Sequence, residues 1–246
     1  MQALLLFLFF ITLPFKAISL ELPKNLSESD LKEVTSILGL QTSTKILSAP
    51  YPLGGYSGLE ISLSMENIDT SEISQLGDGS SPTSSFVFSR IYVGKGLFNN
   101  VDTFLHFIPF SKNSDLSEFG GLLRWSFFQA QFLPMNLALL IHASEGNLKD
   151  VFSTKSYGAE LLLGITVEDF ALYFGGGQVQ ATGTFHGDYV QSNININVLP
   201  NNSVKNTVKG FHSFVGIYLN YSPFFVNLQI DRYVDPVYSA KLGLNL

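Results

Sequence analysis

The chain has 246 residues, no cysteine and a formal net charge of −6. Charged residues make up only 14% of it, whereas a typical soluble domain carries about a quarter. The acidic balance argues against nucleic-acid binding, and the lack of cysteine excludes disulfide scaffolds, thiol nucleophiles and Cys-ligated metals. Beyond residue 19 no apolar run approaches the ~20 residues of a spanning helix, which excludes a helical membrane protein.

The first predicted element is an export signal. Residues 3–15 form an apolar stretch of signal-peptide length, and Ala17 and Ser19 supply the small residues of a cleavage site. We therefore predict cleavage between Ser19 and Leu20. The chain then divides into a signal peptide (1–19), an N-terminal helix with a linker (20–54) and a barrel (55–246). An uncleaved membrane anchor is the alternative, although the apolar run is short for a spanning helix.

A short amphipathic helix is predicted over residues 28–38. Ser27 and Asp30 have the spacing of a capping box, with Asp in place of the usual Glu, and Gly39 suits the position after the last turn. Apolar residues recur at helical spacing, at Leu31, Val34, Ile37 and Leu38. We expect this helix to pack as a periplasmic N-terminal cap. The alternatives are that it plugs a larger body or binds a partner.

From residue 55 onward the apolar period changes from helical to two. Leu59, Ile61 and Leu63, for example, alternate with polar residues. This alternation is typical of strands with one apolar and one mixed face. Ten such segments are predicted, over 55–66, 84–94, 100–110, 117–130, 135–145, 154–166, 168–184, 207–221, 223–232 and 236–246.

The connections between these segments alternate in length. Four of the five odd-numbered connections, among them 67–83 and 185–206, are longer than every even-numbered one. Long loops on one side and tight turns on the other are typical of an outer-membrane barrel. An even number of strands leaves both ends of the barrel chain on the tight-turn, periplasmic side. A full strand within 189–199 would overturn this count.

A soluble β-sandwich or lipocalin-like barrel is the rival architecture, because its strands also alternate. The mixed faces here carry too few charges to coat a soluble exterior. Aromatic residues near the predicted strand ends suit the interfacial girdles of a membrane barrel; they are Tyr56, Phe86, Phe110, Phe119, Tyr157, Tyr221, Phe224, Tyr233 and Tyr238. We therefore predict an all-β fold, a closed antiparallel up-and-down transmembrane barrel of about ten strands.

The chain resembles Gram-negative outer-membrane β-barrel proteins. The resemblance lies in the signal peptide, the alternating strands of about ten residues and the final strand, with Tyr238, Leu242, Leu244 and Leu246 on one face. It covers residues 55–246 and is architectural. It implies a location in the bacterial outer membrane, contact with outer-membrane lipid, and recognition of the final strand by the barrel assembly machinery.

The mixed faces predict a charged but filled lumen. A charge network is expected from Glu60, Arg90, Arg124, Glu160, Asp231 and Lys241, with polar neighbours at His142, His212, Tyr218, Asn227 and Gln229. Balanced charge in a narrow barrel suggests paired ions, since buried charges need partners. Barrel closure places Lys241 near Glu60. Large inward-facing residues at Phe104, Leu122, Leu140, Leu162 and Phe214 also favour a plugged interior.

The sequence offers little catalytic chemistry. His186 and Asp188 lie in one connection and Asp231 and Asp235 near another, and spacing alone does not unite them. His212 and Ser213 are adjacent strand residues, so they point to opposite faces. No cofactor, metal site or nucleic-acid partner is expected.

We therefore expect a non-enzymatic structural or surface-interaction barrel, with the connections 67–83 and 185–206 available to a surface ligand. A narrow pore or lipophilic-ligand channel is the first alternative. A barrel-embedded hydrolase is the second.

Overall fold

The computed structural model describes residues 20, 22–80, 85–109, 116–149, 151–186 and 203–246. These residues form one closed antiparallel barrel, in which each strand pairs with the next and the last pairs with the first. This confirms the predicted closed barrel of ten strands. The strands are β1 (Leu59–Asp69), β2 (Ser85–Gly96), β3 (Val101–Phe107), β4 (Leu116–Gln129), β5 (Met135–Leu148), β6 (Phe152–Val167), β7 (Phe170–His186), β8 (Ser203–Tyr221), β9 (Phe224–Arg232) and β10 (Pro236–Asn245).

The two ends of the barrel differ in their connections. The tight-turn end carries the turns 97–100, 130–134, 168–169 and 222–223, and the long-connection end carries the links 70–84, 108–115, 149–151, 187–202 and 233–235. The barrel chain begins at Leu59 and ends at Asn245, and both lie at the tight-turn end, as an even strand count requires. The predicted signal peptide (1–19), Phe110, Asp188 and residues 81–83 and 187–202 lie outside the described residues.

Several strand boundaries differ from the prediction, and the starts of β1 and β8 differ by four residues. β1 begins at Leu59 instead of residue 55, because Gly54 and Gly55 take positive φ values of 92° and 70° and Gly55–Ser57 form a short 3₁₀ turn. A left-handed backbone of this kind ends an extended segment and favours glycine. β7 and β8 in turn pair as far as His186 and Ser203. Their hairpin therefore rises beyond its predicted ends, toward the long-connection side.

The N-terminal helix begins as predicted and ends differently. Ser27 caps α1 (Glu28–Val34), and its side chain and that of Asp30 make both hydrogen bonds of a capping box. The helix then widens into a π-helical turn, π1 (Thr35–Leu40), so Gly39 lies within it and not after it. A Cβ at Gly39 would lie 2.9 Å from the Cβ of Ala181, so glycine is needed here for close packing on β7. No helix among the described residues is both long and apolar enough to cross a membrane.

The helix lies at the end of the barrel opposite to the one predicted. Its buried apolar side chains pack against inward-facing residues at the long-connection end, among them Ile68, Phe86, Phe152, Phe185 and Val204. The prediction of a helix on the tight-turn side is therefore wrong. The physical reason is the linker: residues 41–54 run through the barrel and carry α1 and π1 to the far mouth. We call residues 28–54 the plug.

Side chains along each strand alternate between the lumen and the exterior. On β1 the even-numbered residues from Glu60 to Ile68 are buried, whereas the odd-numbered ones are partly or fully exposed. A shift in the β4–β5 register after Trp125 turns both Phe127 and Phe128 outward. Of the aromatic residues assigned to the girdles, Phe86 and Tyr233 instead face the lumen and are buried. Tyr56, Phe119, Tyr157, Tyr221 and Tyr238 are exposed.

Candidate functional site

The candidate site is the interface between the plug and the lumen wall. Contacts follow the chain from one mouth to the other. Ser43 Oγ lies 2.7 Å from the hydroxyl of Tyr233 near the long-connection end, and the backbone N–H of Leu53 donates to Asp102 at the tight-turn end, 3.1 Å away. Between them Asn136 donates from its side chain to the carbonyl of Pro50. The plug is thus tied to the wall along its whole path.

Arg90 organises the ionic cluster nearest the long-connection end. Its Nη1 lies 2.6 Å from Glu66 Oε1 and its Nε 2.9 Å from Glu118 Oε2. Its Nη2 donates to the carbonyl of Thr42 in the plug. Lys45 of the plug reaches the other oxygen of Glu66, 2.7 Å away. Two carboxylates and two cations, all buried, therefore join three parts of the molecule: β1–β2, β4 and the plug.

A second ionic cluster lies where β1 meets β10. Lys241 Nζ is 2.6 Å from Glu60 Oε1, which is the contact expected from barrel closure. The other oxygen of Glu60 accepts a hydrogen bond from Ser48 in the plug. Lys241 Nζ also lies 4.2 Å from the ring centroid of Tyr92, a favourable cation–π distance. The seam that closes the barrel is therefore also an attachment point of the plug.

Arg124 forms a third cluster near the tight-turn end. Its Nε and Nη2 lie 3.0 and 2.8 Å from Asp102 Oδ2. Its Nη1 donates to the carbonyl of Ala49. Asp102 also accepts a hydrogen bond from the backbone N–H of Leu53. The Arg124–Asp102 pair therefore contacts the plug at two places, Ala49 and Leu53. Buried charges of this kind stabilise a fold only when every partner stays in place.

The fourth cluster centres on a buried histidine. His212 Nε2 lies 2.9 Å from Asp231 Oδ1, and its Nδ1 contacts Glu160. Each ring nitrogen therefore faces a carboxyl oxygen of the wall. Tyr233 stacks on that ring with centroids 4.0 Å apart. His142 Nε2 completes the cluster, 3.4 Å from Glu160.

The remaining predicted lumen residues also face inward. The hydroxyl of Tyr173 lies 2.8 Å from Asn227 Oδ1 and 2.6 Å from Gln229 Oε1. Tyr218 accepts from Asn245 Nδ2 at 2.6 Å and packs edge-to-face on Tyr51 of the plug. The structure thus places all eleven predicted lumen residues inside the barrel. It divides their six charges between four clusters.

Sequence reasoning missed four charged residues of these clusters, Lys45, Glu66, Asp102 and Glu118. Glu66, Asp102 and Glu118 each lie an even number of residues from an inward-facing residue of the same strand, as Glu66 does from Glu60. The two-residue alternation could therefore have predicted that they face the lumen. Lys45 lies in an extended linker with no periodicity to mark it. With these residues included, six buried carboxyl side chains face four buried Lys and Arg side chains and the buried His212.

Little space remains between plug and wall near the long-connection end. One cavity lies near the long-connection end, lined by Leu38, Phe88, Glu118 and Thr154 among others, and its volume is about 20 Å³. That is the room of about one water molecule. The lumen is therefore filled by side chains at this level.

The predicted catalytic candidates are not brought together. His212 points into the lumen and Ser213, next to it, points outward. His186 stands opposite Ser203 at the far end of β7, whereas Asp231 lies opposite Phe214, much further along β8. Among the described residues, no three His, Asp or Glu side chains are arranged to hold a metal ion.

One titratable group at the plug mouth has a shifted pKa. Burial, together with the nearby carboxylate of Glu72, raises the pKa of Glu33 above its ordinary value of 4.5. Both effects disfavour the charged form. Asp235 adds a smaller repulsion of the same sign.

Comparisons with known proteins return only distant structural similarity. No protein-family model matches the chain, and no curated protein matches it in sequence. The N-terminal β-barrel domain of Pseudomonas aeruginosa OprF aligns at 10% identity over 78% of this chain and 99% of that one, with a TM-score of 0.37.

The attachment invasion locus protein Ail of Yersinia pestis aligns at 12% identity over 77% of this chain and 95% of its own, with a TM-score of 0.32. The toluene transporter TodX of Pseudomonas putida aligns at 9% identity over 94% and 78%, with a TM-score of 0.26. Similarities of this size assign neither a family nor a function.

Proposed function

We propose that this protein is an outer-membrane β-barrel whose lumen is sealed by its own N-terminal segment, and that it acts as a structural or surface-interaction protein. The observation that carries the proposal is an inverted distribution of polarity. Charged side chains point into a closed barrel, and large apolar side chains point out of it. A soluble barrel arranges them the other way round.

The exterior supports a membrane location. The outward-facing residues of β6 from Tyr157 to Val167 are all apolar, and Leu161 among them is 58% exposed. This stretch of eleven residues has the length that a tilted strand needs to cross the apolar core of a bilayer. Lys155 follows at the long-connection end, where the apolar face stops. Pairing of β10 with β1 closes the ring, so this seam exposes no free sheet edge to lipid.

The plug supports a sealed lumen. It crosses the barrel from mouth to mouth, and four buried clusters hold it or fill the space beside it. Each of the carbonyls of Thr42 and Ala49 accepts from an arginine of the wall. Moving the plug would leave these buried charges without their partners. That costs several kcal/mol per ion. A closed scaffold is therefore better supported than an open pore or a lipophilic-ligand channel.

The orientation follows from the connections. In outer-membrane barrels the long connections are extracellular and the tight turns periplasmic. The exposed face of α1 would then lie at the cell surface, beside the connection that follows β1. Its Asp78 side chain contacts Asn25, just before α1. This mouth, with the connection 185–206, is the surface available to a ligand.

Single-channel recording tests the seal. The mature chain, refolded in detergent, is added to a planar bilayer, with an open porin as positive control. We expect no steady conductance steps, together with the heat-dependent gel shift of a folded barrel. Regular steps from folded protein would overturn the sealed lumen and favour the narrow pore.

Cysteine labelling tests membrane location and orientation. The chain has no native cysteine, so single substitutions report cleanly. Ser29→Cys on the exposed face of α1 should react with a membrane-impermeant maleimide on whole cells. The matched variant Gln131→Cys, in an exposed tight turn, should react only after the cells are broken. The opposite pattern would show that the helix lies on the periplasmic side.

A further inference from the structure

A groove runs across the outer surface of the barrel. It has a volume of about 600 Å³ and is lined mainly by outward-facing residues of β1, β2 and β7–β10. One row of paired residues forms its floor, consisting of Met65, Ala240, Leu228, Ile217 and Leu172 on five successive strands. Ala240 lies between Met65 and Leu228, which are each about half exposed. The groove is therefore deepest at Ala240, because the alanine side chain is short and those of Met65 and Leu228 project further.

The groove has a polar rim on one side only. The next row toward the long-connection end is Asn67, Tyr238, Ile230 and Val215, which also line it. One step further along β9 is Arg232, exposed and paired in register with Ser213 and Pro236. Its Cα lies two residues, or about 7 Å along the strand, from that of Ile230. A cation therefore stands directly above an apolar groove.

The cations on this wall have no anionic partners in the part of the chain that the structure describes. Arg232 on β9 and Lys205 and Lys209 on β8 make no ion pair with any described residue. Lys155 on β6 differs, because it is paired with Glu145 at 3.1 Å. Among the described residues, β8 and β9 present no outward-facing carboxylate. The outer faces of β8 and β9 above the groove are thus positively charged, on a chain whose net charge is negative. β1, which also lines the groove, differs because it ends in the exposed carboxylate of Asp69.

The geometry points to a binding site for a phosphorylated, acylated glycolipid of the outer leaflet, with an acyl chain in the groove and a phosphate at Arg232. This inference rests on the proposed membrane location, which places the groove at bilayer depth and Arg232 at the outer headgroups. A guanidinium matches a phosphate by two parallel hydrogen bonds. Lys209 stands on the neighbouring strand, where a second anionic group of a large headgroup would lie. The apolar groove excludes a purely soluble phosphate as the ligand.

Native mass spectrometry of the refolded mature protein tests the site. The probe is lipid A, a diphosphorylated acylated disaccharide, titrated into the detergent solution. Arg232→Gln removes the phosphate contact and should weaken binding about tenfold, the effect of one lost charge-assisted contact. The matched control is Lys155→Gln. It removes an outward-facing cation that also lies near the long-connection end but not at the groove, so this variant should bind lipid A as the unmodified protein does.

A second pair of variants tests the acyl chain. Ala240→Phe fills the groove floor and should weaken binding at least tenfold. Ala143→Phe makes the same change at an exposed, outward-facing position on β5, in the opposite wall, and should have no effect. Equal binding by the two variants of either pair would overturn the site. Phosphatidylglycerol binding as tightly as lipid A would overturn the glycolipid assignment.

Failure of the site and failure of the proposed function give different results. A chain that shows no heat-dependent gel shift in any variant is not a folded membrane barrel, and then the proposed function fails. A chain that folds and seals the lumen but binds lipid A equally in every variant leaves the proposed function standing. It would remove only the glycolipid site.

Discussion

Both halves of the plug bury apolar side chains, and the half formed by residues 41–54 also makes buried ionic and hydrogen-bond contacts with the wall. The half at the long-connection end, α1 and π1, buries apolar side chains such as Leu31 and Ile37 against apolar wall residues. The other half, residues 41–54, contacts the wall through Arg90, Arg124 and Glu60. Apolar packing is non-directional, whereas hydrogen-bonded charges fix donor and acceptor positions. The helix therefore supplies burial, and the linker sets the register of the plug in the lumen.

The largest expected loss of stability comes from removing Arg90, the wall residue that holds the linker half of the plug through Thr42. Arg90→Met leaves Glu66 and Glu118 without their main partner in a buried site, and removing one partner of a buried ion pair costs about 3–5 kcal/mol. Urea unfolding of the refolded protein in lipid vesicles measures the loss. Lys155→Met, at an exposed pair, should change the free energy of unfolding by less than about 1 kcal/mol. Similar losses in both variants would mean that the lumen is wet.

Breaking the helical half should cost somewhat less. Leu31→Ala removes a fully buried side chain, and such truncations cost about 2–5 kcal/mol according to how far the site collapses. Because the helix packs at a mouth of the barrel, we expect part of this loss as local opening. Hydrogen exchange should then be faster at α1 than at β1. Equal acceleration on the strands would show that the helix and barrel unfold together.

The N-terminal cap of α1 gives a smaller test of the same half. Ser27→Ala removes the side-chain acceptor of the capping box and should destabilise the helix by about 1 kcal/mol. Ser27→Asp keeps an acceptor at the cap and should restore most of the loss. Helix-specific hydrogen exchange is the measurement. A Ser27→Asp variant as unstable as Ser27→Ala would show that the cap is not what holds the first turn.

The smallest effect concerns pH at the plug mouth. The raised pKa of Glu33 means that the folded state favours its protonated form, so its contribution to stability is largest at low pH and is lost as pH rises through that pKa. Glu33→Gln, which stays neutral, should match the parent protein near pH 4 and be more stable at pH 8. The measurement is the urea midpoint of unfolding of both proteins at pH 4 and at pH 8. A difference that is larger at pH 4 would reverse the assigned sign.

The barrel was predictable from sequence to within a few residues per strand. Alternation marks which face of a strand is apolar, and connection length marks the two ends, so strand number, closure and the Lys241–Glu60 contact followed. The place of α1 did not follow, because amphipathicity shows that a helix buries one face and not what covers it. Lys45 was missed for a related reason. Its burial is imposed by the wall around it and leaves no trace in the local sequence.

The groove on the outer surface was also beyond sequence analysis. Ala240 and Arg232 lie on different strands, and their neighbours across the sheet depend on register. In the sequence Ala240 is a small residue between Tyr238 and Leu242 with nothing to distinguish it. Its small size matters because Met65 and Leu228 flank it.

The route of the plug has a consequence for the order of assembly. A helix with its side chains is about 10–12 Å wide, and the lumen below it is packed with buried charges. The chain also enters the lumen beside Leu59, next to the seam where β1 pairs with β10. A barrel that closed first would have to admit α1 through a filled interior. We therefore expect the N-terminal segment to be laid against the open sheet before β10 reaches β1, so that ring closure and lumen sealing occur in a single final step.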